Sequence, residues 1–492
     1  MKSLTLELYF GQIFDYLLNM KKNAILFLFL LPGILLAQKV SLLKGAITEN
    51  IIINDSLKES ISVYLPSSFD ANKTWPVVFV FDMEGKGKQS LSMFRQAAEQ
   101  EGYILATSNN TNDTISLSKN ILIANRLFNA TYDLLPLQKK RVYTAGFSDA
   151  GRFASIVPNF IKGIKGVISC GATVGSLEIL SAKNPFHFVG IVGREDYNFI
   201  DMLETRKTLD RLKFPNQLIL FDGGNEWPSA ELIAKAMNIF TLAAMAKGEA
   251  PKVKQIVSAS YKELLTAANT LFSNSKPLLA EHELSEMIRV YGPLMEVDSL
   301  KDARKKLRKT SAFKTNRRNQ NNVLLKESFT KEDYIYFLEE DVMTYNYNNL
   351  GWWNYQMDEL DKLTQSISLY DKQMSLRLRS YVNALIEDTI DMIASDTKVI
   401  DMEALTFLYM LKTVTDPQNF NYYLKVISNS SEVEDYGTAL FYLEELLKNR
   451  YQNKEELYAL EHTALFRIMP EFNAVVEKYL KTARYDIIPV SY

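Results

Sequence analysis

The stretch Arg141-Val-Tyr-Thr-Ala-Gly146-Phe-Ser148-Asp-Ala150-Gly151 is an apolar strand run that ends in a serine flanked by small residues. A serine on a sharp strand-to-helix turn presents its Oγ as a nucleophile, and larger neighbours would clash across that turn. Such a serine attacks only when a base takes its proton and a carboxylate orients that base. The chain has three histidines to supply an imidazole: His187, His282 and His462. His187 lies inside an apolar strand run, where a buried, hydrogen-bonded role is expected. His282 and His462 fall in helical stretches far along the chain and reach Ser148 only if that region caps the site. Asp149 points away along the helix in a turn of this kind and is a poor base. Cys170, the single cysteine, ends a buried strand and reads as core; one cysteine excludes an intramolecular disulfide or a cysteine-based zinc site. Neither a metal nor a cofactor is expected.

The elements that must hold Ser148 are legible from hydrophobic pattern. Ile51-Ile-Ile-Asn and Ser60–Pro66 alternate as strands, with Asn54-Asp55 as a hairpin turn. Trp75–Phe81 and Tyr103–Thr107 are continuous apolar runs, as in strands buried on both faces. A helix is expected near Ser90–Glu101 and another over 116–135, with Leu137–Lys140 bridging into the serine strand. After the serine come a helix at Arg152–Phe160, strands at Gly163–Cys170, Phe186–Gly193 and Asn216–Phe221, and helices at Met202–Leu212 and Ala230–Met245. Strand alternating with helix over this length predicts an α/β fold with a mostly parallel sheet. In such a sheet the functional loops sit at the carboxyl ends of the strands.

With 492 residues the chain is long enough for two or three domains. Composition changes near Lys247-Gly-Glu-Ala-Pro251, after which glycine becomes rare and apolar residues fall at helical spacing. Helices are expected around Val253–Phe272, Leu284–Val290, Tyr334–Leu338, Gln356–Ile367, Met374–Ile393, Met402–Val414, Tyr436–Lys448 and Glu455–Ile468. The last of these weakly resemble the helical hairpins of tetratricopeptide-like repeats, without a constant period. Lys301–Arg318 is a basic stretch that reads as a solvated linker or exposed helix face, with Glu339-Glu-Asp341 nearby to balance it. Trp352-Trp353 reads as aromatic packing at a helix start.

At the N-terminus, Met20-Lys21-Lys22 precedes an apolar run from Ala24 to Leu36 and then Ala37-Gln38, the pattern of a secretory signal peptide. The run is shorter than the roughly 20 residues a membrane span needs. The expected organisation is therefore a signal peptide over 1–37 with the true start at Met20, an α/β domain over 38–248, and an all-helical domain over 249–492. The protein is expected to be exported, periplasmic or secreted. A net charge of −2 gives no reason to expect nucleic acid as a partner.

Residues 60–245 resemble an α/β-hydrolase of the secreted esterase type, close to the polyhydroxyalkanoate-depolymerase and dienelactone-hydrolase-like groups. Three motifs carry the resemblance. Gly146-Phe-Ser148-Asp-Ala150-Gly151 matches the nucleophile turn, with Ala150 where glycine is commonest. Val192-Gly193-Arg-Glu-Asp196-Tyr-Asn198 resembles the loop of the acid, and Phe221-Asp-Gly223-Gly224-Asn225-Glu226-Trp227-Pro228 resembles the Gly-His-x-Trp-Pro loop of the base. The resemblance implies Ser148 as nucleophile, Asp196 as acid, and Asn225 at the position of the base. It implies an oxyanion hole from the backbone N–H of Asp149 and of a residue near Met83. Asp196 has a plainer reading as a carboxylate capping the turn before Phe199.

An asparagine amide can hydrogen-bond to a serine but cannot take its proton near neutral pH. The triad is thus incomplete, and the sequence points to a binding protein, non-catalytic or strongly impaired, for a small-molecule, peptide or protein ligand. Two other readings stay open: an active serine esterase or peptidase with an unexpected base, and a helical domain that is itself the functional module.

Overall fold

The computed structural model describes residues 41–395 and 399–485. The expected signal peptide over 1–37 lies outside the described residues. The described residues from Lys44 onward form one compact unit.

Eight strands make one sheet: β1 (Ile47–Asn54), β2 (Glu59–Tyr64), β3 (Trp75–Val80), β4 (Ile104–Ser108), β5 (Leu137–Phe147), β6 (Gly166–Cys170), β7 (His187–Gly193) and β8 (Asn216–Phe221). Their order across the sheet is β1-β2-β4-β3-β5-β6-β7-β8. β1 to β2 and β2 to β4 are antiparallel, and every pairing from β4 to β8 is parallel. The β1–β2 hairpin closes at Asn54, whose Oδ1 accepts the Leu57 amide at 3.1 Å. β5 begins at Leu137, where a bridge was expected, because the pairing of Leu137 with Trp75 already joins it to β3.

Five helices cover this sheet: α1 (Gly87–Glu101), α2 (Leu117–Leu134), α3 (Asp149–Phe160), α4 (Phe199–Arg211) and α5 (Ala230–Ala246). The alternation of β3 explains why both faces need a cover. Val78 and Val80 join Leu91 and Phe94 of α1 and Ile233 and Met237 of α5 in one core. On the other face Phe79 stacks on Phe128 of α2 at 3.7 Å, and Phe81 meets Phe153 of α3 edge-on at 4.8 Å. Each such buried side chain contributes roughly 1.5–3 kcal/mol.

Helices follow without further strands: α6 (Lys254–Ser273), α7 (Pro277–Tyr291), α8 (Asp298–Lys309), α9 (Ser311–Thr344), α10 (Leu350–Thr364), α11 (Leu369–Ala394), α12 (Met402–Thr415), α13 (Phe420–Glu432), α14 (Tyr436–Lys448), α15 (Lys454–Ala459) and α16 (Pro470–Leu480). Several of these differ from the sequence expectation, among them α16, where no helix was expected. The short helix expected at Tyr334–Leu338 is one part of α9, a helix of 34 residues that neither glycine nor proline interrupts. α13 is new, because its buried Ser430 and Ser431 break the apolar pattern. The expected helix Glu455–Ile468 stops at Ala459, where Leu460 turns extended with ψ 137°.

The aromatic pair sits as expected, but the acidic stretch does not. Trp353 is fully buried and its Nε1 donates to Asp341 Oδ2 at 2.8 Å. Asn346 and Asn349 also donate to Asp341, at 3.0 and 2.6 Å. Asp341 is thus committed to the helical core and does not balance the basic stretch.

A second buried charge joins α9 to α11. Arg377 grips Glu327 with Nε and Nη2, and both side chains are at most 3% exposed. Removing one partner of a buried pair leaves the other charge stranded, at a cost of about 3–5 kcal/mol. Glu327→Ala is therefore expected to lower the unfolding free energy by about 3–5 kcal/mol, measured from the shift in urea midpoint.

Candidate functional site

Ser148 sits between β5 and α3 with φ 51° and ψ −124°, a left-handed conformation that ordinary side chains rarely adopt. The turn is tight enough that a Cβ on Gly146 would lie 2.3 Å from the Ala150 backbone, so only glycine fits there. The Ser148 amide is tied to the Cys170 carbonyl at the end of β6, 2.9 Å away. Asp149 opens α3, is exposed, and faces Arg152 at 3.8 Å, turned from the serine as expected. Cys170 is fully buried, and burial pushes its thiol far above the usual range.

The expected oxyanion donors lie at the ends of neighbouring strands. Val80 of β3 pairs with Ala145 of β5, so Met83 and Ser148 are each the third residue past that pair. The loop of Met83 is pinned: Asp82 Oδ1 accepts the Glu84 amide at 2.7 Å, and the Met83 carbonyl accepts the Asp113 amide at 2.9 Å. Neither the Met83 nor the Asp149 amide has a partner among the described residues.

Two loops beyond β7 and β8 bring Asp196 and Asn225 together. They are joined by the Arg194 amide on the Phe221 carbonyl and the Glu195 amide on the Gly223 carbonyl, both at 2.9 Å. A Cβ on Gly193 would stand 2.2 Å from the Gly223 carbonyl oxygen, so the close approach requires glycine. Asp196 is 1% exposed; its Oδ1 accepts the Asn198 amide at 2.8 Å and its Oδ2 accepts Asn225 Nδ2 at 3.1 Å. A carboxylate only accepts, so it faces the NH2 of Asn225 and leaves Asn225 Oδ1 to face elsewhere. Burial raises the Asp196 carboxyl above its ordinary value, against the pull of the Asn198 amide, Asn225 and Lys331. Trp227 braces the loop by stacking on Phe147 at 4.8 Å, next to the serine. One Asp196 oxygen thus serves the turn before Phe199 while the other meets Asn225.

The three imidazoles are engaged away from this cluster. His187 opens β7, at the end of the sheet opposite Ser148, and is bonded to Gln217. Burial lowers it to about 4, helped by Lys247 and opposed by Gln217. His282 on α7 donates from Nε2 to the Leu218 carbonyl at 2.6 Å, and burial lowers it to about 3. His462 lies 3.7 Å from Glu432 in the helical region.

Sequence reading missed what holds the acid loop from outside. Lys331 Nζ of α9 donates to the Tyr197 carbonyl at 2.9 Å. Arg377 of α11 donates to the Arg194 carbonyl at 2.5 Å, and its guanidinium lies 5.2 Å from the Phe199 ring centre. Arg194 in turn reaches Asp222 at 2.9 Å and Gln373 at 3.2 Å, and Lys276 meets Asp222 at 2.7 Å. The helical region thus does lie over the acid loop, but what it brings there is arginine and lysine. A cavity of about 400 Å³ beside this loop is lined by Arg152, Thr173, Asn198, Asp201 and Thr205.

The strand order and the serine turn at the end of β5 define an α/β-hydrolase fold carrying a long helical region. No protein-family model matches the chain, and no curated protein matches it. Among solved structures it is similar to an S-formylglutathione hydrolase of Staphylococcus aureus, at 13% identity and a TM-score of 0.33, over 40% of this chain and 96% of that one. It is also similar to a ferulic acid esterase, at 15% identity and TM-score 0.31 over 39% of this chain and 95% of that one. A third is Est1E from Butyrivibrio proteoclasticus, at 12% identity and TM-score 0.33 over 41% of this chain and 99% of that one. Among the described residues no helix is long and apolar enough to cross a membrane.

The buried imidazole of His187 makes a pH prediction. Its folded value of about 4 lies below the ordinary 6.5, so the unfolded chain binds the extra proton between them. Stability is therefore full above 6.5 and is lost as pH falls toward 4. Relative to His187→Asn, the wild-type chain is expected to lose about 2 kcal/mol more between pH 7 and pH 5, read from urea unfolding at the two pH values.

Proposed function

We propose that this is an exported α/β-hydrolase-fold binding protein whose serine site is non-catalytic or strongly impaired. The observation that carries the reading is Asn225, which donates its side-chain amide to Asp196 where a triad would have an imidazole. An amide in that place keeps the hydrogen bond to the acid but has no basic lone pair to take the Ser148 proton. Losing the histidine of such a triad costs about a million-fold in turnover. The engagement of His187, His282 and His462 elsewhere supports the same reading.

Ligand binding would use the retained turn, with the Asp149 and Met83 amides as donors to a carbonyl or carboxylate oxygen. The ligand would be a small molecule, a peptide or a protein. A cavity of about 780 Å³ among α12, α13 and α14, lined by Met402, Met410, Val433, Phe441 and Tyr442, supports the further reading that the helical region is itself a binding module. The opposing reading, an active serine hydrolase with an unexpected base, is favoured by the strain kept at Ser148, since a turn at φ 51° costs about 1–3 kcal/mol to maintain.

Activated short-chain esters separate these readings. The wild-type chain is expected to hydrolyse p-nitrophenyl acetate no faster than Ser148→Ala, and Asn225→His is expected to gain Ser148-dependent turnover. Clear Ser148-dependent turnover in the wild type would sink the impaired-site reading. Export rests on residues 20–38, and the secreted chain is expected to begin at Gln38 by N-terminal mass spectrometry; recovery of an uncleaved chain would contradict it.

A further inference from the structure

Helix α9 buries one face and leaves the opposite one bare. Phe313, Glu327, Tyr334, Leu338 and Asp341 are buried against the protein. Facing away from them, Leu325 is 58%, Phe329 57%, Tyr336 61% and Met343 75% exposed. At about 100° per residue these four fall within roughly 40° of arc, and the last three recur every seventh position. Single exposed apolar residues are ordinary, but an aligned row of large ones along a helix is the pattern of a helix–helix seam.

Charge along this seam is divided by halves. Lys314 and Arg318 lie on it near the N-terminal end, and Glu332, Glu339 and Glu340 toward the C-terminal end, all exposed. None of the five has an ion-pair partner among the described residues. A basic or an acidic partner would satisfy one half and be repelled by the other. Another copy of the same helix, run antiparallel, satisfies both.

We propose that α9 pairs antiparallel with α9 of a second copy of this chain about a two-fold axis. End-to-end overlap of the two helices sets the axis near residue 327, the midpoint of Ser311–Thr344. Leu325 then faces the partner's Phe329, Arg318 faces the partner's Tyr336, Lys314 faces the partner's Glu340 and Asn322 faces the partner's Glu332. Each contact occurs twice, as an isologous interface demands. In the same order, the pairs are apolar on apolar, guanidinium on aromatic ring, cation on carboxylate, and amide NH2 on carboxylate. Parallel pairing would instead set Lys314 against the partner's Lys314 and Glu340 against the partner's Glu340. A helix of this length is about 51 Å long, and a seam about 10 Å wide buries on the order of 1,000 Å² in total, at the low end for a specific interface. An interface of this size fits a weak, reversible dimer.

Sedimentation velocity on the purified protein from about 1 to about 100 µM tests this. The wild-type chain is expected to shift from monomer to twice its chain mass across that range. Phe329→Glu, at an exposed position that leaves the fold intact by circular dichroism, is expected to weaken the dimer at least about tenfold. At low salt Lys314→Glu should weaken it by about threefold, and adding Glu340→Lys to the same chain should restore it. A wild-type chain that stays monomeric at about 100 µM overturns the proposal, as does a Phe329→Glu chain that dimerises like wild type. Failure of the double substitution to recover overturns the antiparallel register.

Discussion

A carboxylate that is 1% exposed can stay charged only if its oxygens are answered by donors, and Asp196 sets that demand for the whole end of the sheet. Its two oxygens take the Asn198 amide and the Asn225 side chain, and meeting both requires the β7 and β8 loops to touch. That contact leaves no room for a side chain on Gly193. The same loops then carry Trp227 onto Phe147 and so brace the strand that delivers Ser148. Asn225 is in this sense well fitted to the site as it stands. Its NH2 answers Asp196 Oδ2, and a side-chain amide has no basic nitrogen to offer in return.

The helical region takes part in that end of the sheet. Arg377 satisfies the Arg194 carbonyl and Lys331 satisfies the Tyr197 carbonyl, so the backbone on both sides of Asp196 is held by α11 and α9. Burying Arg377 is tolerable because Glu327 neutralises it at the same depth. The positive charge of Lys331 also offsets part of the cost of burying Asp196. One consequence is that the acid loop and the helical region are mechanically coupled.

Much of the sheet was legible from pattern alone, because β3, β4 and β7 are buried almost throughout and show as short runs rich in apolar residues, whereas β5 shows one only from Val142 onward. The serine turn was legible because few residues fit its geometry. The helical region was read less well, and the misses have physical causes. α9 carries apolar rows on two opposite faces, so no single stripe stands out. α13 buries serines, and the end of α15 is decided by Leu460 leaving the helical conformation, which its identity does not announce. The role of Asp341 was misread because its donors, Trp353, Asn346 and Asn349, come together only when the chain turns after α9.

The sequence by itself determined the α/β sheet, the strained serine turn and the absence of a histidine in the loop after β8, since these depend on local pattern and residue identity. Only the tertiary structure decided where the three imidazoles go, which oxygen of Asp196 meets Asn225, and that α9 and α11 hold the acid loop. Those facts rest on contacts such as Arg377 to Arg194, which are 183 residues apart. Local propensity carries no information about such pairs. They are chosen by which buried polar groups must find partners once the apolar faces have packed.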